Sequence, residues 1–231
     1  NGKSTTCQMC YHILKSIGIK TTLVGNFGTP VCELALENKP HDMIVIELSS
    51  YQLEHSQTLD LDISAIINLS PDHLDKHGSL QKYYAAKSKI LYSTKNHIVS
   101  FVSQQALKQL TVHKIHSPQN TKAILLEKKN QLPYFNTLSA LNFHKHNTDN
   151  AIFALEICHH ATKKPYSILT EALKSISLLP HRYEVVDIPN HPTIINDSKS
   201  TNVASTLTAL ESTQEPLILL LGGIDKKESF L

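Results

Sequence analysis

Two short apolar runs constrain the fold of this chain most. Met43-Ile44-Val45-Ile46 and residues 63–67 are almost wholly hydrophobic, and each is closed by a polar residue, Glu47 or Asn68. Runs of this length and composition suit strands covered on both faces rather than helices. Residues 5–17 carry apolar side chains at helical spacing and stop at Gly18, a residue type that ends helices readily. Residues 21–24 and 98–102 read as further strands. Residues 80–91 and a short segment ending at Leu36 read as helices, and another helix starts just after Glu47. Strands separated by helices predict an α/β fold, a mostly parallel sheet flanked by helices.

The pattern changes along the chain. Residues 123–126 and 132–135 are short β-prone pieces between polar turns, which predicts a small antiparallel section within 111–143. Residues 147–160 and 166–176 read as helices. A break falls at Leu178-Leu179-Pro180. Beyond it come β-prone segments at 183–188, 193–195 and 217–221 and a helix at 202–210. These suggest the start of a second, incomplete Rossmann-like domain. The expected boundaries are 1–179, beginning inside a phosphate loop, and 180–231.

Composition excludes several function classes. The 231 residues carry 22 Lys+Arg against 20 Asp+Glu, a balance that does not favour nucleic acid or an acidic membrane surface. No apolar run reaches the roughly 18 residues that a membrane span needs, and no signal peptide is evident, so a cytoplasmic protein without membrane insertion is expected. Cys7-x-x-Cys10 lacks the second pair that a zinc site requires. We read it, with Cys32 and Cys158, as ordinary thiols of a reducing compartment. The histidine pairs His144/His146 and His159/His160 read as solvated rather than metal-binding.

Three segments carry chemistry. Asn1-Gly2-Lys3-Ser4-Thr5 matches the tail of a phosphate loop, G-x-x-x-x-G-K-[ST], with the required helix directly behind it. The glycine admits close approach of an anion, helix N–H groups cradle it, and the lysine reaches the phosphates. Glu47 ends a strand, where ligands bind in open parallel sheets and a carboxylate can hold Mg²⁺. Asn68-Leu69-Ser70-Pro71-Asp72-His73-Leu74-Asp75 ends the next strand, and its histidine could be a metal ligand, an acid/base or simply structural.

Taken together these segments resemble the Mur ligase family. The resemblance rests on Asn1 to Ser4, Glu47-Leu48-Ser49-Ser50-Tyr51-Gln52-Leu53, Asn68 to Asp75, Tyr84-Ala85-Ala86-Lys87 and His146-Asn147-x-x-Asn150. It continues through His181-Arg182-Tyr183-Glu184, Asn196-Asp197-Ser198-Lys199-Ser200-Thr201-Asn202 and Leu221-Gly222-Gly223-x-Asp225-Lys226. The second and seventh segments are most like the D-glutamate-adding members. The resemblance implies an ATP-dependent ligase that joins D-glutamate to UDP-N-acetylmuramoyl-L-alanine through an acyl phosphate in peptidoglycan precursor synthesis. A folate polyglutamate ligase and a non-catalytic nucleotide-binding remnant are the alternatives.

It also implies residue roles. Lys3, His73 and Lys87 would be catalytic, and Asn1, Gly2, Lys3, Ser4 and Thr5 would hold the phosphates of ATP. Asn147, Asn150, Arg182 and Asp197 would hold its base, phosphate and ribose. Ser4, Glu47, His73 and Lys87 (the last carbamylated in this family) would hold two Mg²⁺, with Mn²⁺ as a substitute. Asn26 and Ser49 would face the muramoyl substrate. Lys199, Thr201 and Lys226 would serve the substrate side, with Thr201 and Lys226 facing D-glutamate. A monomer is expected.

Overall fold

The computed structural model describes residues 1–37, 39–92, 98–213 and 215–223. The chain opens on helix α1 (Lys3–Ser16), followed by β1 (Thr21–Gly25), α2 (Val31–Glu37) and β2 (Met43–Glu47). Then come α3 (Ser50–His55), β3 (Ile63–Ile66), α4 (Leu74–His77), α5 (Leu80–Ser88), which runs into a 3₁₀ turn, and β4 (Val99–Ser103). Next are α6 (Gln104–Val112), β5 (Thr121–Ile124), α7 (Phe135–Ser139), α8 (Lys145–Thr162) and α9 (Tyr166–Leu173). The last elements are β6 (Glu184–Val186), β7 (Ile194–Asn196) and α10 (Val203–Glu211).

β1 pairs with β2 in parallel, from Thr21 opposite Met43 to Gly25 opposite Glu47. β3, β4 and β5 form a second parallel sheet in that order. A cleft of about 660 Å³ runs between β2 and β3, with α1 along one wall. Ile44 is 49% exposed, so β2 is covered less completely than its apolar sequence predicts. The mixed α/β class agrees with the sequence.

Three local expectations change. β5 pairs parallel to β4, so the 111–143 region is not antiparallel. The reason is α6, which the sequence reading passed over: it carries the chain back across the sheet, and a crossover of that kind delivers the next strand in the same direction. Ser103 caps α6, accepting from Ala106 N at 3.0 Å. Ala106 and Leu110, four apart on one face, are its buried residues. Residues 132–135 lead into α7 instead of forming a strand. Buried Tyr134 donates its hydroxyl to Glu156 Oε1 at 2.7 Å, which fixes it as a core anchor. The antiparallel pair is β6 with β7. Residues 217–221 form no strand: Ile218 and Leu220 are over 90% exposed, and no backbone pairing among the described residues holds the segment.

The main core lies between α1, α8 and α9 and strands β2 to β5. Met9 and Ile13 of α1 meet Ile152, Phe153 and Leu155 of α8, all fully buried. A second cluster packs Tyr83, Tyr84 and Leu91 against Ile66, Val102 and Leu110. The first cluster fixes α1 against α8, and the second fixes α5 behind β3. Both phosphate-loop helix and lysine-bearing helix are therefore held by packing rather than by their own propensity.

Candidate active site

Gly2 caps α1 with φ 78, ψ −5, in the left-handed region. A side chain there would run into Asn150 Oδ1. The loop thus demands glycine twice, for its dihedral angle and for its closeness to α8. No side chain caps α1 and its first turn holds no acidic residue, so its leading N–H groups and positive dipole end face the same region as Lys3. Ser4 and Thr5 are buried beside it.

Asn1 is clasped from two sides. Its backbone nitrogen and carbonyl bond to the Asn68 side chain at 2.8 and 3.0 Å. Its own amide meets Asn202 across 201 residues of sequence, Asn202 Nδ2 donating to Asn1 Oδ1 at 3.1 Å. Asn202 Nδ2 also donates to Asp72 Oδ2 at 3.0 Å. Arg182 donates to Ser4 Oγ at 2.9 Å. Residues from the 180–202 stretch therefore reach the phosphate loop directly.

Glu47 is 3% exposed. Its Oε1 accepts from Asn26 Nδ2 at 2.9 Å, while its Oε2 is buried with no hydrogen-bond partner. An unpaired carboxylate oxygen under protein is costly, and a cation would satisfy it. Together with the Ser4 hydroxyl and the His73 imidazole that the family resemblance nominates, the donor types fit a hard divalent cation that keeps phosphate and water oxygens. Among the described residues no group of three or more His, Cys, Asp or Glu could hold a metal by itself, so such a cation would depend on the Ser4 hydroxyl, Lys87 and the nucleotide. Here Ser4 Oγ already accepts from Arg182, which leaves one of its two lone pairs for a metal.

Lys87 lies over the Tyr83 ring, 4.9 Å from its centroid. Burial, and next the charge of Lys3, depress its ammonium to about 8, against the pull of Asp72 and Glu47. These interactions bring Lys3, Lys87, Glu47 and Asp72 into one electrostatic neighbourhood, as the sequence reading expected for the first three. His73 has a left-handed backbone, φ 53, and its Nδ1 is 3.0 Å from Tyr51 Oη.

The remaining expected residues divide. Asn147 and Asn150 are buried at the start of α8, 3.4 Å apart, with Asn150 against Gly2; they adjoin the phosphate loop. Asp197 is engaged locally, accepting from Tyr183 N at 2.9 Å and from Ser200 Oγ at 2.5 Å. Ser49 caps α3 in a capping box with Gln52. Lys199 and Thr201 are exposed, and Lys226 lies outside the described residues. The histidine pairs are less solvated than expected. His144 and His146 pack on Tyr183, at 4.3 and 5.7 Å between centroids, and His159 stacks on Tyr166 at 4.2 Å. All four cysteines are free thiols.

The sequence reading missed Asn202 and Gln105 as architects of the site. Gln105 grips the loop after β3 at Leu69, accepting from its N–H at 3.0 Å and donating to its carbonyl at 2.6 Å. Asn202 had a signal, an Asn three residues before Ser205 at a helix start, whereas Gln105 had none.

Residues 1–170 match the Mur ligase middle domain. The chain belongs to the Mur ligase family. It is 32% identical to the UDP-N-acetylmuramoylalanine–D-glutamate ligase of Prochlorococcus marinus strain NATL2A, over all of this chain and 53% of that protein. It is 35% identical to the protein of that name from Zymomonas mobilis, over 98% of this chain and 50% of that one. Among solved structures, MurF from Acinetobacter baumannii superposes with a TM-score of 0.67 at 20% identity, over 92% of this chain and 52% of that one, a likeness of fold. This Mur ligase chain spans about half the length of the curated relatives it matches. No described helix is long and apolar enough to cross a membrane.

Proposed function

We propose that this chain carries the ATP-binding centre of a ligase that joins D-glutamate to UDP-N-acetylmuramoyl-L-alanine. The observation that carries the reading is the meeting of Gly2-Lys3-Ser4 at an uncapped helix start with Lys87 and the buried, half-satisfied Glu47. The names of the 30–35% identical relatives support the choice of substrates. We assign residues 1–179 to the central domain and 180–231 to the start of the next.

In this reading Lys3 and the α1 N–H groups bind and orient the phosphates of ATP, because phosphoryl transfer needs alignment and charge neutralisation more than a protein nucleophile. The L-alanyl carboxylate of the substrate attacks the γ-phosphate, releasing ADP and giving an acyl phosphate. The D-glutamate amine then attacks that carbonyl and expels phosphate. Ser4, Glu47, His73 and carbamylated Lys87 would hold Mg²⁺, which when bound neutralises the transferring phosphate. Asn147, Asn150, Arg182 and Asp197 hold the nucleotide; Asn26 and Ser49 face the muramoyl substrate; Lys199, Thr201 and Lys226 serve the substrate side, Thr201 and Lys226 at D-glutamate. The enzyme acts as a cytoplasmic monomer.

The test is phosphate release by the whole gene product. Release that requires ATP, UDP-N-acetylmuramoyl-L-alanine and D-glutamate together supports the assignment, and release driven instead by a folate with L-glutamate removes it. Lys3→Ala should lower kcat by about 10³-fold or more, the scale of losing a charge aimed at the transition state. A loss below about tenfold would take Lys3 out of the mechanism.

A further inference from the structure

His73 is held from one side by a residue that the functional reading leaves idle. Tyr51 Oη and His73 Nδ1 are 3.0 Å apart, and the two rings meet edge to face at 5.2 Å between centroids. The other face of the arrangement is anchored. Tyr51 stacks on His77 at 5.5 Å and 20°. His77 is 5% exposed, with Nε2 3.1 Å from Ser50 Oγ and Nδ1 3.5 Å from Glu54 Oε2. A line of contact thus runs from a buried, fixed imidazole through Tyr51 to His73.

The backbone of His73 needs such support. Its φ of 53 is rare for a residue with a side chain and persists only when the surroundings impose it. Asp72 Oδ1 accepts from its N–H at 2.8 Å, and its carbonyl accepts from Lys76 N and His77 N. With Nδ1 at Tyr51, Nε2 is the nitrogen turned to the Asp72 carboxylate, 3.6 Å from Oδ2. Asp72 in turn accepts from Asn202, which also bonds Asn1, so this edge of the ring faces the phosphate-loop side.

We propose that Tyr51 is the positioning residue for His73, holding Nδ1 so that Nε2 is presented towards Asp72 and the phosphate loop. The chemistry of the phenol suits the task. A hydroxyl donates to a bare Nδ1 and accepts from Nδ1–H, so the same contact serves either tautomer. His73 can therefore offer an N–H to Asp72 in one state and a lone pair to a cation in the other without changing rotamer. A second partner that fixes ring direction is what an imidazole ligand requires. A phenylalanine here would keep the stack on His77 and lose only this hold. The purpose assigned to Tyr51 rests on the reading of His73 as a cation ligand, whereas its grip on the ring does not.

The experiment has two arms that separate those claims. In the first, the whole gene product is labelled with ¹⁵N-histidine, and His73 is assigned by the signal that His73→Gln removes. Tyr51→Phe should move the His73 ring nitrogens towards their free-imidazole positions and leave those of His77 in place. Unmoved His73 nitrogens, or equal movement of both histidines, overturns the proposal. In the second, Mn²⁺ binding in the presence of ADP is measured by electron paramagnetic resonance on the whole gene product. Tyr51→Phe should weaken it by roughly 10–100-fold, and should add nothing once His73 is already Gln. An equal loss on the His73→Gln background means that Tyr51 acts elsewhere and sinks the proposal. If His73→Gln alone leaves Mn²⁺ affinity unchanged, the ligand reading of His73 fails, and the nitrogen shifts alone decide whether Tyr51 holds the ring.

Discussion

Gly2 and Lys87 show how single residues carry opposed demands. At Gly2 the left-handed backbone and the Asn150 side chain leave no room for a Cβ. Gly2→Ala should cost about 1–3 kcal/mol in chemical denaturation, the scale of a strained backbone position. It should weaken ATP binding further, because the loop must shift to relieve the clash. At Lys87 burial sets the sign. Its folded value, about 8, lies below the ordinary lysine value of 10.5. Below pH 8 the folded protein holds an ammonium it disfavours, while the unfolded chain carries that proton freely. Between about 8 and 10.5 the unfolded state binds more protons, so this group's contribution to stability rises with pH. Lys87→Met keeps the stem on Tyr83 and removes the charge. Its Tm relative to wild type, measured on protein whose Lys87 is not carbamylated, should therefore fall by roughly 5–10 °C from pH 7 to pH 10, for about 2–3 kcal/mol of relieved penalty. A difference in Tm that is flat with pH would refute the buried-charge account.

At the scale of elements, the site is made by segment ends tied to segments far away in sequence. α6 matters less for its own packing than for Gln105, which holds Leu69 by both backbone groups and so sets the course of the chain from Asn68 to His73. Gln105→Ala leaves a part-buried N–H and carbonyl without that partner, a loss of about 1–3 kcal/mol. Hydrogen exchange at residues 69–73 should rise while exchange in α8 stays unchanged; uniform protection would mean the loop is held otherwise. α10 is a parallel case. Asn202 Oδ1 caps it, accepting from Ser205 N at 2.9 Å, while Nδ2 reaches Asp72 and Asn1. Asn202→Asp keeps the cap and loses both donors, whereas Asn202→Ala loses all three. Asp should thus retain the cap's contribution of about 0.5–2 kcal/mol yet free the helix from Asp72, through like charge as well as a missing bond.

Over the whole molecule, two polar clasps join the 180–211 region to the phosphate loop: Arg182 to Ser4, and Asn202 to Asn1 and Asp72. Around β6 and β7 the surface is more apolar and open, with Val185, Ile194 and Leu207 each over 40% exposed. Few buried contacts and many exposed ones mark a region of low local stability. Arg182→Leu should therefore speed tryptic cleavage at Lys199 several-fold without shifting the main unfolding transition, which belongs to the α1–α8 core. Cleavage at the wild-type rate would show that Arg182 holds nothing.

Hydrophobic pattern, a local signal, determined the parallel α/β class and the places of α1, β2, β3 and α8; a loop motif and strand-end polarity nominated Lys3, Glu47 and His73, while Lys87 came only from the family resemblance. All but Lys87 follow from neighbours a few residues apart, where period and strand-end polarity are written directly. The direction of β5 was not legible, because it depends on a crossover helix whose apolar face is only Ala106 and Leu110. Nor could the long-range contacts of Gln105, Tyr51 and Asn202 be read, since each reaches a partner 22 to 201 positions away. Whether residues 217–221 become a strand was equally a tertiary matter, because an apolar run becomes a strand only when another backbone pairs with it.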